Sequence, residues 1–167
     1  MRLSTRPRYA LRMMLDVARM GADGVPVSLA GVAERSHISH GYLEQLALPL
    51  RNARLLRGVC GKGGGYQLAR PAERITVREI IEAVDGPLNV VQCVGDPASC
   101  IRSEYCECRP MYVLINRRVT DALEGFTLAD LLAPERRSEA KEKSVVPRRQ
   151  AGRRGDTRRT AEGRGRA

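Results

Sequence analysis

A glycine-rich tip between two short strand-like runs constrains this chain more than any other feature. Gly61-Lys62-Gly63-Gly64-Gly65 is preceded by Leu55-Leu56-Arg57-Gly58-Val59-Cys60 and followed by Tyr66-Gln67-Leu68-Ala69. The stretch reads as a β-hairpin with a flexible, basic tip. A phosphate-binding loop would need its lysine followed by Ser or Thr at the start of a helix. Here Lys62 is followed by Gly63 and then by strand-like residues, so that reading is rejected. Two short helical patterns stand directly before the hairpin. Ser28 caps the first, with Leu29, Val32 and Ala33 on its apolar side. Ser39 caps the second, in which Leu43, Leu46, Ala47 and Leu50 recur at helical spacing. Arg35-Ser36-His37-Ile38 joins them tightly. Two such helices fit a helix-turn-helix or a helical hairpin from an unrelated bundle. The hairpin behind them favours a winged helix. Pro49 removes one backbone hydrogen bond from the second pattern and predicts a kink or an early end there.

The flanking segments complete a mainly α fold. Thr5 is expected to cap a first helix, with Pro7 in its first turn and Tyr9, Ala10, Met13, Met14, Val17 and Ala18 on one face. Gly21 ends it, and Asp23-Gly24-Val25-Pro26 is a turn. Thr76 and Glu79 form a capping box for a fourth helix, packed by Ile80, Ile81 and Val84 and stopped at Asp85-Gly86-Pro87. A long helix from about Pro110 to Leu123 carries Met111, Leu114, Ile115, Val119, Ala122 and Leu123 as a broad apolar stripe. It has little of its own domain to pack on. Pairing with the same helix of a second subunit would bury it, which predicts a two-fold homodimer. Such a dimer would offer two reading helices to a pseudo-palindromic site on double-stranded DNA. Thr127 caps a last short turn through Leu132. The expected fold is therefore a winged helix-turn-helix plus a long dimerisation helix.

Four of the five cysteines fall in one loop-like stretch: Cys93, Cys100, Cys106 and Cys108. It contains Gly95, Asp96 and Pro97 and few core-forming residues, so packing does not explain the thiols. Thiolates are soft ligands that suit iron–sulfur clusters, zinc or copper(I). Zinc loops favour cysteine pairs two to four residues apart, which this spacing does not match well. A zinc-stabilised regulator and a metal-free thiol switch are the other readings.

Charge is a weaker guide. The formal net charge is +10, but residues 135–167 hold 12 Lys/Arg against 5 Asp/Glu, leaving 17 against 14 in the first 134 residues. That tail reads as disordered and basic, able to add salt-sensitive attraction to DNA. No apolar run is long enough for a membrane span, and the N-terminus lacks a secretory apolar segment. A cytoplasmic location and a reducing compartment are expected, where clustered thiols are ligands or sensors rather than structural disulfides. There is no nucleophile–base set and no cofactor loop, and there are only two histidines, so neither an enzyme nor a small-molecule substrate is expected.

Taken together, several stretches resemble the IscR/NsrR-like family of bacterial winged-helix transcription regulators. They are Met1-Arg2-Leu3-Ser4 with Arg8-Tyr9-Ala10, Ile38-Ser39 with Tyr42-Leu43-Glu44-Gln45-Leu46, and Gly63-Gly64-Gly65-Tyr66 with Leu68. The helix ending at Asp85, the cysteines, and Thr127-Leu128-Ala129-Asp130-Leu131 complete the likeness, which covers roughly residues 1–133. The resemblance implies a homodimer that binds promoter DNA, as a repressor, with an iron–sulfur cluster reporting iron–sulfur status, nitric oxide or redox state. It implies Cys93, Cys100 and Cys106 as ligands, with six and five residues between them, and 2Fe–2S ahead of 4Fe–4S. Cluster-free relatives act through thiols or a partner protein.

The fourth ligand stays open. Relatives place a histidine where this chain has Arg109, or an acidic residue near Arg8. Cys108 is the first candidate, with Glu104, Glu107, or His37 or His40 from a second subunit as alternatives. Cys60 stands where relatives often carry an arginine and reads as passive. On this resemblance the third helix enters the major groove with Ser39, His40, Tyr42 and Glu44 near its leading end, Tyr42 being equally a core candidate. Lys62 and Gly63 of the wing tip approach the minor groove or backbone. The expected organisation is 1–86 for DNA binding, 87–109 for the cysteine loop, 110–133 for the dimerisation helix and terminal turn, and 134–167 for the tail.

Overall fold

The computed structural model describes residues 4–133; the basic tail lies outside the described residues. Helix α1 (Thr5–Met20) is followed by α2 (Leu29–Ser36), α3 (His40–Asn52), the hairpin β1 (Leu56–Val59) and β2 (Gly65–Leu68), and α4 (Val77–Asp85). A single-turn α5 (Gln92–Gly95), the long α6 (Arg109–Glu124) and a short α7 (Leu128–Leu132) complete the order. The fold is mainly α with an antiparallel two-stranded wing, in which Leu56 faces Leu68 and Val59 faces Gly65.

Local chemistry explains most element ends. Ser28 Oγ accepts from Gly31 N at 3.2 Å, satisfying one of the free amides at the start of α2. His37 closes α2 in the left-handed region, with φ of 55°, and this sharp reversal turns the chain into α3. Ile38, next in line, is buried and pins the turn to the core. Pro49 neither ends α3 nor cuts its last turn, because the helix runs on to Asn52 and Ala53 N donates to the Pro49 carbonyl at 3.0 Å. Two expected caps differ. Ser4, not Thr5, is the N-cap of α1, and its hydroxyl reaches the Asp85 carboxylate at 3.2 Å instead of its own helix. Ser39 occupies the N-cap of α3, but its side chain makes no capping bond.

The core is one continuous cluster. Met13, Met14 and Val17 of α1 meet Leu43, Leu46 and Leu50 of α3, Ile80 of α4, and Leu55 and Ile75 from the connecting segments. Leu128 of α7 is fully buried in the same cluster. It is held there by Leu128 N donating to the Ile75 carbonyl at 2.8 Å, and by Val77 N donating to Phe126 at 2.8 Å. The terminal turn thus packs on the core built by α1, α3 and α4. By contrast, none of the residues of α6 is buried.

Candidate nucleic-acid interface and thiol loop

The helix-turn-helix leaves one side of α3 in solvent. Ser39, His40, Glu44, Gln45, Leu48 and Arg51 are exposed, while Leu43, Leu46, Ala47 and Leu50 face inward. His40 Nδ1 lies 3.6 Å from a Glu44 oxygen, one helical turn away. Tyr42 is half-buried, and its ring meets Tyr9 edge-to-face with centroids 5.7 Å apart. Its body therefore belongs to the α1–α3 contact. Gln45, one step from Glu44 and outside the Leu43–Leu46–Ala47 stripe, is exposed on the same helix, and its side-chain amide is of the type that suits an adenine edge.

The wing places Lys62 and Gly63 at an exposed tip. Its glycines answer to crowding. A Cβ on Gly64 would collide with the Val59 carbonyl, and one on Gly65 with the Val27 carbonyl. The second collision marks where the wing is sewn to the helices: Tyr66 N donates to Val27 O at 2.8 Å and Val27 N to Tyr66 O at 2.9 Å. Cys60 is exposed beside this tip, apart in sequence from the other four thiols.

The cysteine stretch is a string of tight turns rather than open loop. Cys93 lies in α5, Cys100 ends a 3-10 turn (Pro97–Ser99), and Cys108 is the N-cap of α6. Cys93, Cys100 and Cys106 are half-buried, Cys108 is exposed, and all are free thiols. Glu104 and Glu107 are exposed on the same stretch. The loop is strapped to α6 at two points: Arg109 Nε donates to the Cys93 carbonyl at 3.3 Å, and Val90 N donates to Asn116 Oδ1 at 2.9 Å. Arg109, which as a cation makes a poor ligand, thus serves as a strap. Neither tie was visible in the sequence, since each links residues at least sixteen apart. Beyond the loop, Arg78 of α4 bonds Glu82 at 3.1 Å and reaches Glu124 of α6 at 3.8 Å. Glu82 holds the Arg78 guanidinium above its ordinary pKa.

Among the described residues no three His, Cys, Asp or Glu side chains converge as ligands of a metal ion would. Three half-buried thiols on one short stretch are donors of the type an iron–sulfur cluster takes, but the structure does not bring them together. His37 and His40 both belong to the helix-turn-helix and are exposed.

Comparison with known proteins settles the family. The profile of Rrf2, described as an iron-dependent transcriptional regulator, matches residues 3–134. The chain belongs to the Rrf2 family. Its members are DNA-binding transcription regulators, not enzymes. This Rrf2 chain is 41% identical over 164 residues to the HTH-type transcriptional regulator IscR of Pectobacterium atrosepticum, covering 98% of this chain and 93% of that protein. Among solved structures, IscR of T. potens is similar at 31% identity with a TM-score of 0.64, covering 87% of this chain and 93% of that one. CymR, the global cysteine regulator of B. subtilis, is similar at 34% identity with a TM-score of 0.65, covering 79% and 96%. No helix among the described residues is long and apolar enough to cross a membrane.

Proposed function

We propose that this Rrf2 protein is a homodimeric, sequence-specific repressor acting in the cytoplasm, whose grip on promoter DNA is set by an iron–sulfur cluster. The observation that carries the reading is the thiol loop's position. Three half-buried thiols sit on a segment tied to α6 through Arg109 and Asn116, and α6 is tied to α4 through Arg78 and Glu124. A change in that loop therefore has a continuous path to the DNA-binding core. Cys93, Cys100 and Cys106 would hold the group, 2Fe–2S ahead of 4Fe–4S, with Cys108 as first candidate for the fourth position. The cluster would supply reversible redox and nitric-oxide chemistry. Ser39, His40 and Glu44 would meet base edges or phosphates in the major groove, and Lys62 and Gly63 would meet the backbone or minor groove. Tyr42 would contribute at most its hydroxyl, since its ring packs on Tyr9. The apolar side of α6 would pair with its counterpart in a second copy.

Anaerobic purification with iron and sulfide analysis, a visible spectrum, and DNA affinity of apo and holo dimers in one salt concentration test this reading. A brown protein whose affinity changes on cluster loss is expected. A colourless protein without iron, or equal affinities, would overturn it. The second reading is a cluster-free thiol switch, favoured by five free cysteines and by the fold shared with CymR. It would show itself as a reversible disulfide in an iron-free chain.

A further inference from the structure

Arg54 stands where the backbone asks for glycine. It follows Ala53, the C-cap of α3, and lies in the left-handed region with φ of 55°. Leu55 N donates to the Leu50 carbonyl at 2.9 Å, and Arg54 N donates to the Arg51 carbonyl at 2.9 Å. This pair of bonds closes the helix as a Schellman motif, whose left-handed position usually falls to glycine because a Cβ there crowds the backbone. Leu50 and Leu55 are fully buried, so the core holds the motif in place. His37 has the same φ, but histidine is among the few residue types enriched in that region, and arginine is not.

The side chain accounts for the residue better than the backbone does. Arg54 is exposed, and its guanidinium has no hydrogen bond or ion pair among the described residues. Its surroundings share that character. From Gln45 to Ala72 the sequence holds Arg51, Arg54, Arg57, Lys62 and Arg70 and not one Asp or Glu. Arg70 pairs with Glu79 at 2.8 Å, and the other four have no acidic partner among the described residues. Arg51, Arg54 and Arg57 are exposed on one corner, while Leu50, Leu55 and Leu56 between them are buried. Acids and bases nearly balance over the first 134 residues, so this is a local concentration of charge. Like charges on one corner repel one another and do not help the fold.

Building on the DNA-binding reading above, and independently of any cluster, we propose that Arg54, flanked by Arg51 and Arg57, contacts the phosphodiester backbone of duplex DNA between the α3 contact and the wing contact. A single sugar–phosphate strand separates a major groove from its neighbouring minor groove. With α3 in one groove and Lys62 at the other, the corner 51–57 is the part of the chain that joins the two. A guanidinium there meets phosphate oxygens through its planar fork and displaces condensed counterions. Such a contact fixes the protein's orientation on the duplex and carries no sequence information. The left-handed backbone at Arg54 is tolerated for that charge.

The test compares the full chain as wild type, Arg54→Gly, Arg54→Gln and Arg54→Lys. Two duplexes of equal length serve as probes: one selected by the wild-type protein from a random library, the other its scrambled sequence. Fluorescence anisotropy across a salt series gives affinity, and thermal melting gives stability. R54G should melt above wild type, because glycine relieves the left-handed position. R54G and R54Q should bind both duplexes more weakly by a similar factor, and the slope of log affinity against log salt should shrink by about 1 for each subunit bound. R54K should keep the wild-type slope. An unchanged slope in R54G and R54Q would overturn the proposal. So would a loss confined to the selected duplex, which would make Arg54 a reader of bases. R54G melting no higher than wild type would show arginine at ease in the turn, and would overturn the claim that a strained position is kept for its charge. Wild type that binds neither duplex would bring down the DNA-binding reading itself, and this inference with it.

Discussion

From α1 to α4 most large apolar side chains are withdrawn from water, Leu48 being an exception; Met13, Leu43, Leu46 and Ile80 are fully buried. On α6, Met111, Leu114 and Ile115 remain between 40% and 55% exposed. Both regions are helical and similarly apolar in sequence, so composition does not separate them. What separates them is the source of their partners. The core helices bury one another, whereas α6 touches its own chain mainly through α4 and the thiol loop. One region is complete within the described residues, and the other keeps an apolar side that the described residues do not cover.

Replacing a side chain in each region should sharpen that contrast. Leu46→Ala opens a cavity in the closed core and should cost about 2–5 kcal/mol of unfolding free energy in a denaturant titration. Since small domains hold only about 5–15 kcal/mol, much of the population could be unfolded. A cost near zero would mean that the core is not packed as described. Leu114→Asp should act differently: helical circular dichroism is kept, while light scattering reports a shift from dimer to monomer and DNA affinity falls. Unfolding of the Leu114→Asp chain, or an unchanged mass, would break the distinction between the two regions.

The same contrast explains what could be read from the sequence. Caps and periodic faces are local, so Ser28, the Thr76–Glu79 box, the stop at Gly86 and the wing around Gly61–Gly65 were all legible. Features set by distant partners were not. Ser4 does not cap α1 with its side chain because Asp85, far along the chain, takes its hydroxyl. Leu128 looked like part of a peripheral turn, yet it completes the core against a segment some fifty residues earlier. In the thiol region the candidate ligands were legible from residue type alone. The straps through Arg109 and Asn116 were not.

A smaller effect is expected at the start of α4, where the core meets the wing's exit. Thr76 Oγ1 accepts from Glu79 N at 3.2 Å, and Thr76 N donates to Glu79 Oε2 at 2.9 Å. Thr76→Ala removes the hydroxyl half of this box and should cost about 0.5–2 kcal/mol by denaturant titration. No change would show that solvent replaces the cap without penalty.

The smallest effect is the pH dependence carried by Glu79. Burial alone would push its carboxyl up, but the Thr76 backbone bond and the Arg70 guanidinium at 2.8 Å outweigh it, and the net shift is downward. A carboxyl with a lower pKa folded than unfolded binds fewer protons in the native state. Its contribution is therefore present above the ordinary glutamate range and fades as pH falls through the depressed folded value. Glu79→Gln cannot titrate. Its stability should lie below that of wild type at neutral pH, and the two curves should draw together in acid. The pair is partly solvated, so screening keeps the gap small and salt should narrow it further. Curves that stay parallel from neutral to acid pH would show that the box acts through its hydrogen bonds alone and that charge on Glu79 adds nothing to the junction of core and wing.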